Sequence, residues 1–251
     1  VFLWGGTTRV LPRYDDARLL SLLTEGAASV LFGVPTVWHD LGTREGVEAP
    51  DWSAIRCASG GAALSERLIA EFAARGAALR SGYGMTETGP TCFIMDAARV
   101  TAKPRAVGRV QALTGVRLDG VPDGRPGEGG VLLRGPAITP GYWEGPGMLR
   151  AATDAEGWLH TGDVARRDGD GDHEIIGRLK EMFVSGGENV WPGEVERVLC
   201  SHPGAAEAAV VPVPDDRWGE VGHAFVEPRA GHCIEAGSLA QWCRARLAGY
   251  K

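Results

Sequence analysis

The chain has 251 residues, a formal net charge of −6, 44% hydrophobic and 23% charged residues. That is ordinary globular composition with enough length for a substantial core, and its acidity argues against a dedicated nucleic-acid surface. No apolar run approaches the ~18 residues of a membrane span. The five cysteines (57, 92, 200, 233, 243) are scattered, odd in number and form no Cys-x-x-Cys pair. This spacing disfavours a disulfide framework or structural zinc and predicts a reducing, cytoplasmic setting. The sequence begins at Val1 rather than Met, and Val1–Trp4 reads as an interior strand, so a piece of a longer protein is expected.

In chain order, Ala17–Thr24 carries apolar residues at 19, 20, 22 and 23, a helical face. Ser29–Phe32 is a short apolar run closed by Gly33 and is expected to be a buried strand. Pro35 opens a helix to about Leu41, because proline suits the first helical turn. Ile55–Ser59 reads as a strand, Ser65 to Gly76 as a helix, and Ala78–Ser81 as a third strand. Strand, helix, strand at this spacing predicts a parallel α/β sheet. From Gly108 to Gly177 short alternating segments (116–118, 130–134, 174–176) lie between Gly, Pro and Asp turns, predicting a small β-rich subdomain. Beyond it the pattern reads strand 182–185, helix 192–201, strands 206–213 and 222–227, and helix 237–247, a compact α+β unit.

Several motifs carry chemistry. In Gly82-Tyr83-Gly84-Met85-Thr86-Glu87, placed after a predicted strand, the glycines admit close backbone approach to a ligand. Tyr83 offers a flat face to a purine, Thr86 a hydroxyl to a phosphate oxygen, and Glu87 a hard oxygen for Mg²⁺. The same residues also suit a plain glycine-rich turn. Gly60-Gly61-Ala62 ends the preceding strand and would let a flat ring lie against the backbone; neither block is Gly-x-Gly-x-x-Gly. Thr161-Gly162-Asp163 places a carboxylate after a tight turn, suited to paired ribose hydroxyls. His160 reads as a structural imidazole. Asp168, Asp170 and Asp172 begin like a calcium loop, but His173 and Leu179 break the pattern, leaving a solvated β-turn. Arg178 is a fixed planar cation, Lys180 stands where two textures meet, and Gly186-Gly187 is bare backbone. Pro192, Glu194 and Glu196 are good helix-start chemistry.

These blocks, with Gly127–Pro146 between them, resemble in order the adenylate-forming acid–CoA ligases across essentially the whole chain. The resemblance implies an α/β large-domain portion at 1–107, a β-rich subdomain at 108–178 and a mobile α+β C-terminal domain, incomplete, at 179–251. It implies that Tyr83 stacks on adenine, that Gly60, Gly61 and Ala62 cover its other face, and that Thr86 touches the α-phosphate. Glu87 would bind Mg²⁺, and Asp163 would hold the ribose with Arg178 assisting. Lys180 would be the hinge between two half-reactions: joining a carboxylate to AMP from ATP, then passing the acyl group to the coenzyme A thiol. Gly186 and Gly187 would flank the pantetheine tunnel, with Trp218 and Tyr250 near the CoA nucleotide. Gly61, Gly84 and Gly89, with Met85, would line the acyl pocket, and Gly82 would belong with the nucleotide-binding residues.

Two blocks of the family are not matched: a phosphate loop, which would precede Val1, and an adenylation lysine, which would follow Lys251. Weak adenylation by this chain alone is therefore expected, since a missing cation aimed at developing charge costs about 10²–10³ in rate. Unpaired sheet edges would also invite a homodimer. Three functions fit: a ligase making a fatty-acyl or aryl-CoA, an adenylation domain loading a carrier protein's phosphopantetheine, or a non-catalytic nucleotide-binding protein.

Overall fold

The computed structural model describes residues 5–89 and 91–251; the strand expected at Val1–Trp4 lies outside them. The first sheet has the order β1 (Val30–Gly33), β2 (Arg56–Ser59), β3 (Arg80–Tyr83), β4 (Phe93–Ile94), β5 (Arg109–Val110). The pairs β1–β2 and β2–β3 are parallel, as the strand–helix–strand spacing predicts, but β3–β4 and β4–β5 are antiparallel. The last two strands are only two residues long, too short to leave a periodic signal.

Three helices pack on this sheet: α1 (Asp16–Thr24), α2 (Pro35–Thr43) and α3 (Glu66–Ala74). Asp15 accepts from the Arg18 N–H and Ser65 from the Leu68 N–H, which satisfies orphan donors at the starts of α1 and α3. Their apolar faces meet over Trp38, Trp52 and Phe72, whose rings stand edge to face at 5.0–5.2 Å around Phe72. Full burial of each such ring stabilises the fold by about 1.5–3 kcal/mol. The indoles are not orphaned: Trp38 donates to the Gly33 carbonyl at 3.2 Å and Trp52 to the Val47 carbonyl at 2.7 Å.

The expectation of a buried first strand is corrected. Val30 and Phe32 are 61% and 55% exposed. They alternate with Leu31, which packs on the core, so β1 is an edge strand with one covered face.

The second sheet is antiparallel, in the order β11 (His173–Arg178), β10 (Leu159–Arg167), β7 (Gly127–Arg134), β6 (Gly115–Leu118). A ribbon, β8 (Gly141–Gly145) with β9 (Met148–Ala151), stands apart from it. The two sheets are stitched at Gly108 and His173, which exchange an isolated bridge. Beside the stitch, Lys103 pairs with Asp168, Asp170 and Asp172, while Arg99 reaches the latter two. The aspartate turn is thus an ion-paired joint as well as a partly solvated turn: Asp172 is buried while Asp170 stays exposed.

His173 is buried, edge-on to Phe93 at 5.0 Å, with Nδ1 3.3 Å from the Gly108 carbonyl. Burial is the main cause holding its pKa below the ordinary 6.5, with Arg167 adding to it and Gly108, Asp172 and Asp168 opposing. The ring stays neutral in the folded chain. As pH falls through about 6.5 the unfolded chain takes up the proton first, so stability is lost from there down to the depressed folded value. Urea titrations across that range should show a shallower pH slope for His173→Gln than for the parent; an unchanged slope removes this assignment.

The C-terminal unit is a sheet of order β13 (Glu188–Val190), β12 (Phe183–Ser185), β15 (Gly219–Pro228), β14 (Ala205–Asp215), with α4 (Pro192–Cys200) and α5 (Ala236–Arg244). Phe183, Val190, Leu199 and Val210 form its core. Glu196 accepts from the Val210 N–H at 2.8 Å and Glu194 from Lys251, partners beyond the helix-dipole role read from sequence. Trp191 packs with Val164 and Ile176 of the second sheet, and Arg197 pairs with Glu174.

Candidate functional site

Tyr83, Asp163 and Arg178 come from three separate stretches and meet. Asp163 and Arg178 are directly paired across β10 and β11, and Arg178 Nε donates to Asp163 Oδ1 at 3.0 Å. Tyr83, the last residue of β3, donates its hydroxyl to Asp163 Oδ2 at 2.6 Å. Gly82 and Tyr83 therefore end the strand itself instead of following it. The predicted tight turn at 161–163 is a bulge within β10, where pairing with β7 shifts between His160 and Val164. Gly162 takes φ +77 there, a conformation that suits glycine. The Thr161 hydroxyl donates to the Val131 carbonyl and accepts from the Asp163 N–H, so the bulge is locked.

Asp163 is only 5% exposed. A carboxylate offers about four acceptor sites, and one partner on each oxygen leaves capacity for two further donors. Burial, and then the bond to Asp163, push the Tyr83 pKa far up, so the phenol remains a donor. Phe93 stands edge-on to Tyr83 at 5.7 Å and fixes its ring; sequence reading did not select Phe93, because a two-residue strand hides it.

Gly60 is buried at the end of β2, with Gly82 of β3 beside it: a Cβ on Gly60 would lie 3.6 Å from the Gly82 carbonyl and 2.9 Å from the Phe32 ring. Gly61 and Ala62 are exposed next to it. Past β3, Gly84 and Met85 lead into a one-turn 3-10 helix, Thr86–Thr88, in which Thr88 Oγ1 accepts from the Met85 N–H. Gly89 follows as its C-cap. Thr86 is exposed and Glu87 half-buried. Glu87 accepts from the Tyr142 hydroxyl at 2.9 Å, a partner not foreseen from the sequence.

The described residues offer one close grouping of carboxylates and, apart from it, the single carboxylate of Glu87. Asp168, Asp170 and Asp172 converge closely, but Lys103 already sits among them. Glu87 has no Lys, Arg or His ion pair among the described residues, and its carboxylate accepts from the Tyr142 hydroxyl. His160 pairs with Asp154 at 2.9 Å, as a structural imidazole would.

The remaining selected residues lie in the C-terminal part. Lys180 is exposed in the single turn Leu179–Glu181 that joins β11 to β12. Gly186 and Gly187 form the turn from β12 to β13. Trp218 covers Gly186, where a Cβ would come within 2.6 Å of the indole, while Gly187 faces open space. Tyr250 is placed with Lys251 instead, 5.6 Å from its ammonium. The concavity lined by Asp16, Asp40, Thr43, Arg44 and Glu45 contains none of these residues.

A strand-end polar cluster on a mixed sheet, followed by a β-rich sheet and a small α+β unit, matches the architecture of adenylate-forming enzymes. The chain belongs to the AMP-binding enzyme family, whose model matches residues 1–143; that of the AMP-binding enzyme C-terminal domain matches 194–251. It is 40% identical over 255 residues to a feruloyl-CoA synthase of an Amycolatopsis species, covering 99% of this chain and 51% of that one. The o-succinylbenzoate coenzyme A synthetase of Bacillus subtilis, in complex with ATP and magnesium ion, superposes with TM-score 0.81 at 30% identity, covering 95% of this chain and 49% of that one. The amide bond synthetase of Marinactinospora thermotolerans gives TM-score 0.83 at 28% identity, with 94% and 49% covered. The chain spans about half the length of the curated relatives it matches. No helix is long and apolar enough to cross a membrane among the described residues.

Proposed function

We propose that this chain provides the adenosine half of the site in an ATP-dependent ligase that activates a fatty or aryl acid as its acyl-adenylate and transfers it to the coenzyme A thiol. The observation that carries the reading is the hydrogen-bonded chain Tyr83–Asp163–Arg178, drawn from three strands. Asp163 accepts the two ribose hydroxyls through its remaining lone pairs, and the Arg178 hydrogen bond holds it oriented. Tyr83 presents its ring to adenine, with Gly60, Gly61 and Ala62 opposite. Gly82, Gly84 and Met85 admit the acyl-phosphate end, and Thr86 donates to a phosphate oxygen. Bound at Glu87, Mg²⁺ would neutralise phosphate charge.

We read the chain as three units, 1–107, 108–178 and 179–251; the separate sheets support this division except that β5, Arg109–Val110, belongs to the first sheet although it lies past residue 107. Lys180 serves as the pivot, since it lies in the one exposed turn joining the last two. Rotation there requires Trp191 to leave Val164 and Ile176, and Arg197 to leave Glu174. Gly187 leaves room for a narrow thiol arm beside Trp218. Tyr250, carried by the same unit as Gly187 and Trp218, would meet the CoA nucleotide. The five unpaired cysteines suit a reducing compartment.

Calorimetric titration of the chain with a non-hydrolysable acyl-AMP mimic should give saturable binding, with AMP weaker and GMP weaker still; absence of binding by both adenylates overturns the reading. Offering the thioester step free CoA or a carrier-protein phosphopantetheine then identifies the acceptor.

A further inference from the structure

Glu87 is held from outside its own motif. Its backbone carbonyl accepts from the Thr139 N–H at 2.8 Å and its carboxylate Oε1 from the Tyr142 hydroxyl at 2.9 Å. Both donors belong to the segment that enters the β8–β9 ribbon. Thr139 Oγ1 donates to the Gly141 carbonyl at 3.1 Å, which fixes that entry. The Arg150 guanidinium lies 4.6 Å from the Tyr142 ring centroid, and Arg150 Nε is anchored by Glu144 at 2.8 Å. The ribbon has little core of its own: Trp143, Met148 and Leu149 are 75%, 58% and 57% exposed. Yet its one side-chain hydroxyl, that of Tyr142, is spent on a carboxylate that has no pairing cation among the described residues.

We propose that Tyr142 is a positioning residue for Glu87: by donating to Oε1 it fixes the carboxylate so that its unengaged oxygen, Oε2, is the one presented to the divalent cation that accompanies the ATP phosphates. The inference rests on the assignment of Glu87 as the cation's protein ligand. The chemistry favours one oxygen. Mg²⁺ demands near-octahedral geometry, keeps several waters and takes one or two carboxylates, so a carboxylate held with one oxygen already engaged suits it. A glutamate free to rotate loses that freedom on binding, a cost the Tyr142 bond removes beforehand.

The test is a calorimetric titration of the chain with ATP across a Mg²⁺ series, alongside AMP without metal, for the parent, Tyr142→Phe and Glu87→Gln. Tyr142→Phe should raise the Mg²⁺ needed for half-maximal ATP binding roughly three- to ten-fold, the span set by freeing one flexible side chain. Glu87→Gln should remove the Mg²⁺ response, and metal-free AMP affinity should be the same in all three. A parental Mg²⁺ response in Tyr142→Phe, with the response lost in Glu87→Gln, overturns the role of Tyr142 and leaves Glu87 standing. A parental response in Glu87→Gln overturns the Glu87 assignment and the inference with it. Equal weakening of AMP and Mg–ATP by Tyr142→Phe shows a general structural role and also overturns positioning.

Discussion

Replacing Asp163 with Ala is expected to weaken AMP binding roughly 100-fold, because two charge-assisted hydrogen bonds at about 1.5 kcal/mol each disappear together. The same variant should bind 2′,3′-dideoxy-AMP as the parent does. The difference isolates the ribose hydroxyls, since the analogue has nothing to donate to Asp163 in either protein. Folding stability should fall less. Arg178 is 55% exposed at its side chain and returns to water, whereas the Tyr83 hydroxyl, part-buried, loses its acceptor at a cost of about 1–3 kcal/mol. Asp163→Asn keeps an acceptor for Tyr83 and should recover most of that stability while recovering little AMP affinity. If Asp163→Ala weakens the dideoxy analogue as much as AMP, the aspartate supports the fold and does not read the ribose.

The residues of this cluster were legible in the sequence one by one, but their meeting was not. No spacing rule joins Tyr83 to Asp163; the order of the motif blocks suggested it, and while the antiparallel pairing of β10 with β11 sets Asp163 beside Arg178, Tyr83 reaches Asp163 from the other sheet. The bulge at Gly162 escaped because a glycine in a strand reads like a turn when only its neighbours are seen. Helices α1, α2 and α3 were clear from apolar period, proline and capping residues, since those signals are local. The exposure of Val30 and Phe32 was not, because a short apolar run has the same composition on a covered and an uncovered strand. Tyr142 was missed for a related reason. Its partner Glu87 lies 55 residues away, and a half-exposed tyrosine in a Gly-rich segment carries no periodic mark. Lys103 was likewise invisible as the cation of the aspartate turn, so that turn looked merely solvated.

Replacing Gly108 with Ala should destabilise the chain by at least about 3 kcal/mol and take AMP binding down with it. Gly108 has φ +82, where a Cβ costs about 1–2 kcal/mol from backbone conformation alone. Here the added carbon would also fall 2.4 Å from the Ile94 carbonyl oxygen and 2.6 Å from the Met95 Cα. Both are backbone atoms, so no rotamer change relieves the collision and β4 and β5 must separate. Gly124 is the control: it has φ +73, and a Cβ added there would meet nothing within 4 Å, so Gly124→Ala should carry the conformational cost only. Urea midpoints for the two variants therefore separate collision from conformation, and equal losses would remove the argument. The coupling to the site follows from what Gly108 joins. Its carbonyl accepts from the His173 N–H at 2.8 Å, and the neighbouring Val107 N–H donates to the His173 carbonyl at 2.7 Å. Phe93 on β4 touches His173 on one side and Tyr83 on the other, at 5.0 and 5.7 Å. Displacing β4 from β5 thus moves Tyr83 relative to β10 and opens the 2.6 Å bond to Asp163. AMP affinity measured at a temperature where both variants are folded should fall in Gly108→Ala and hold in Gly124→Ala. Parental affinity in a folded but weakened Gly108→Ala would show that the stitch sets stability alone and that the cluster is aligned by other contacts.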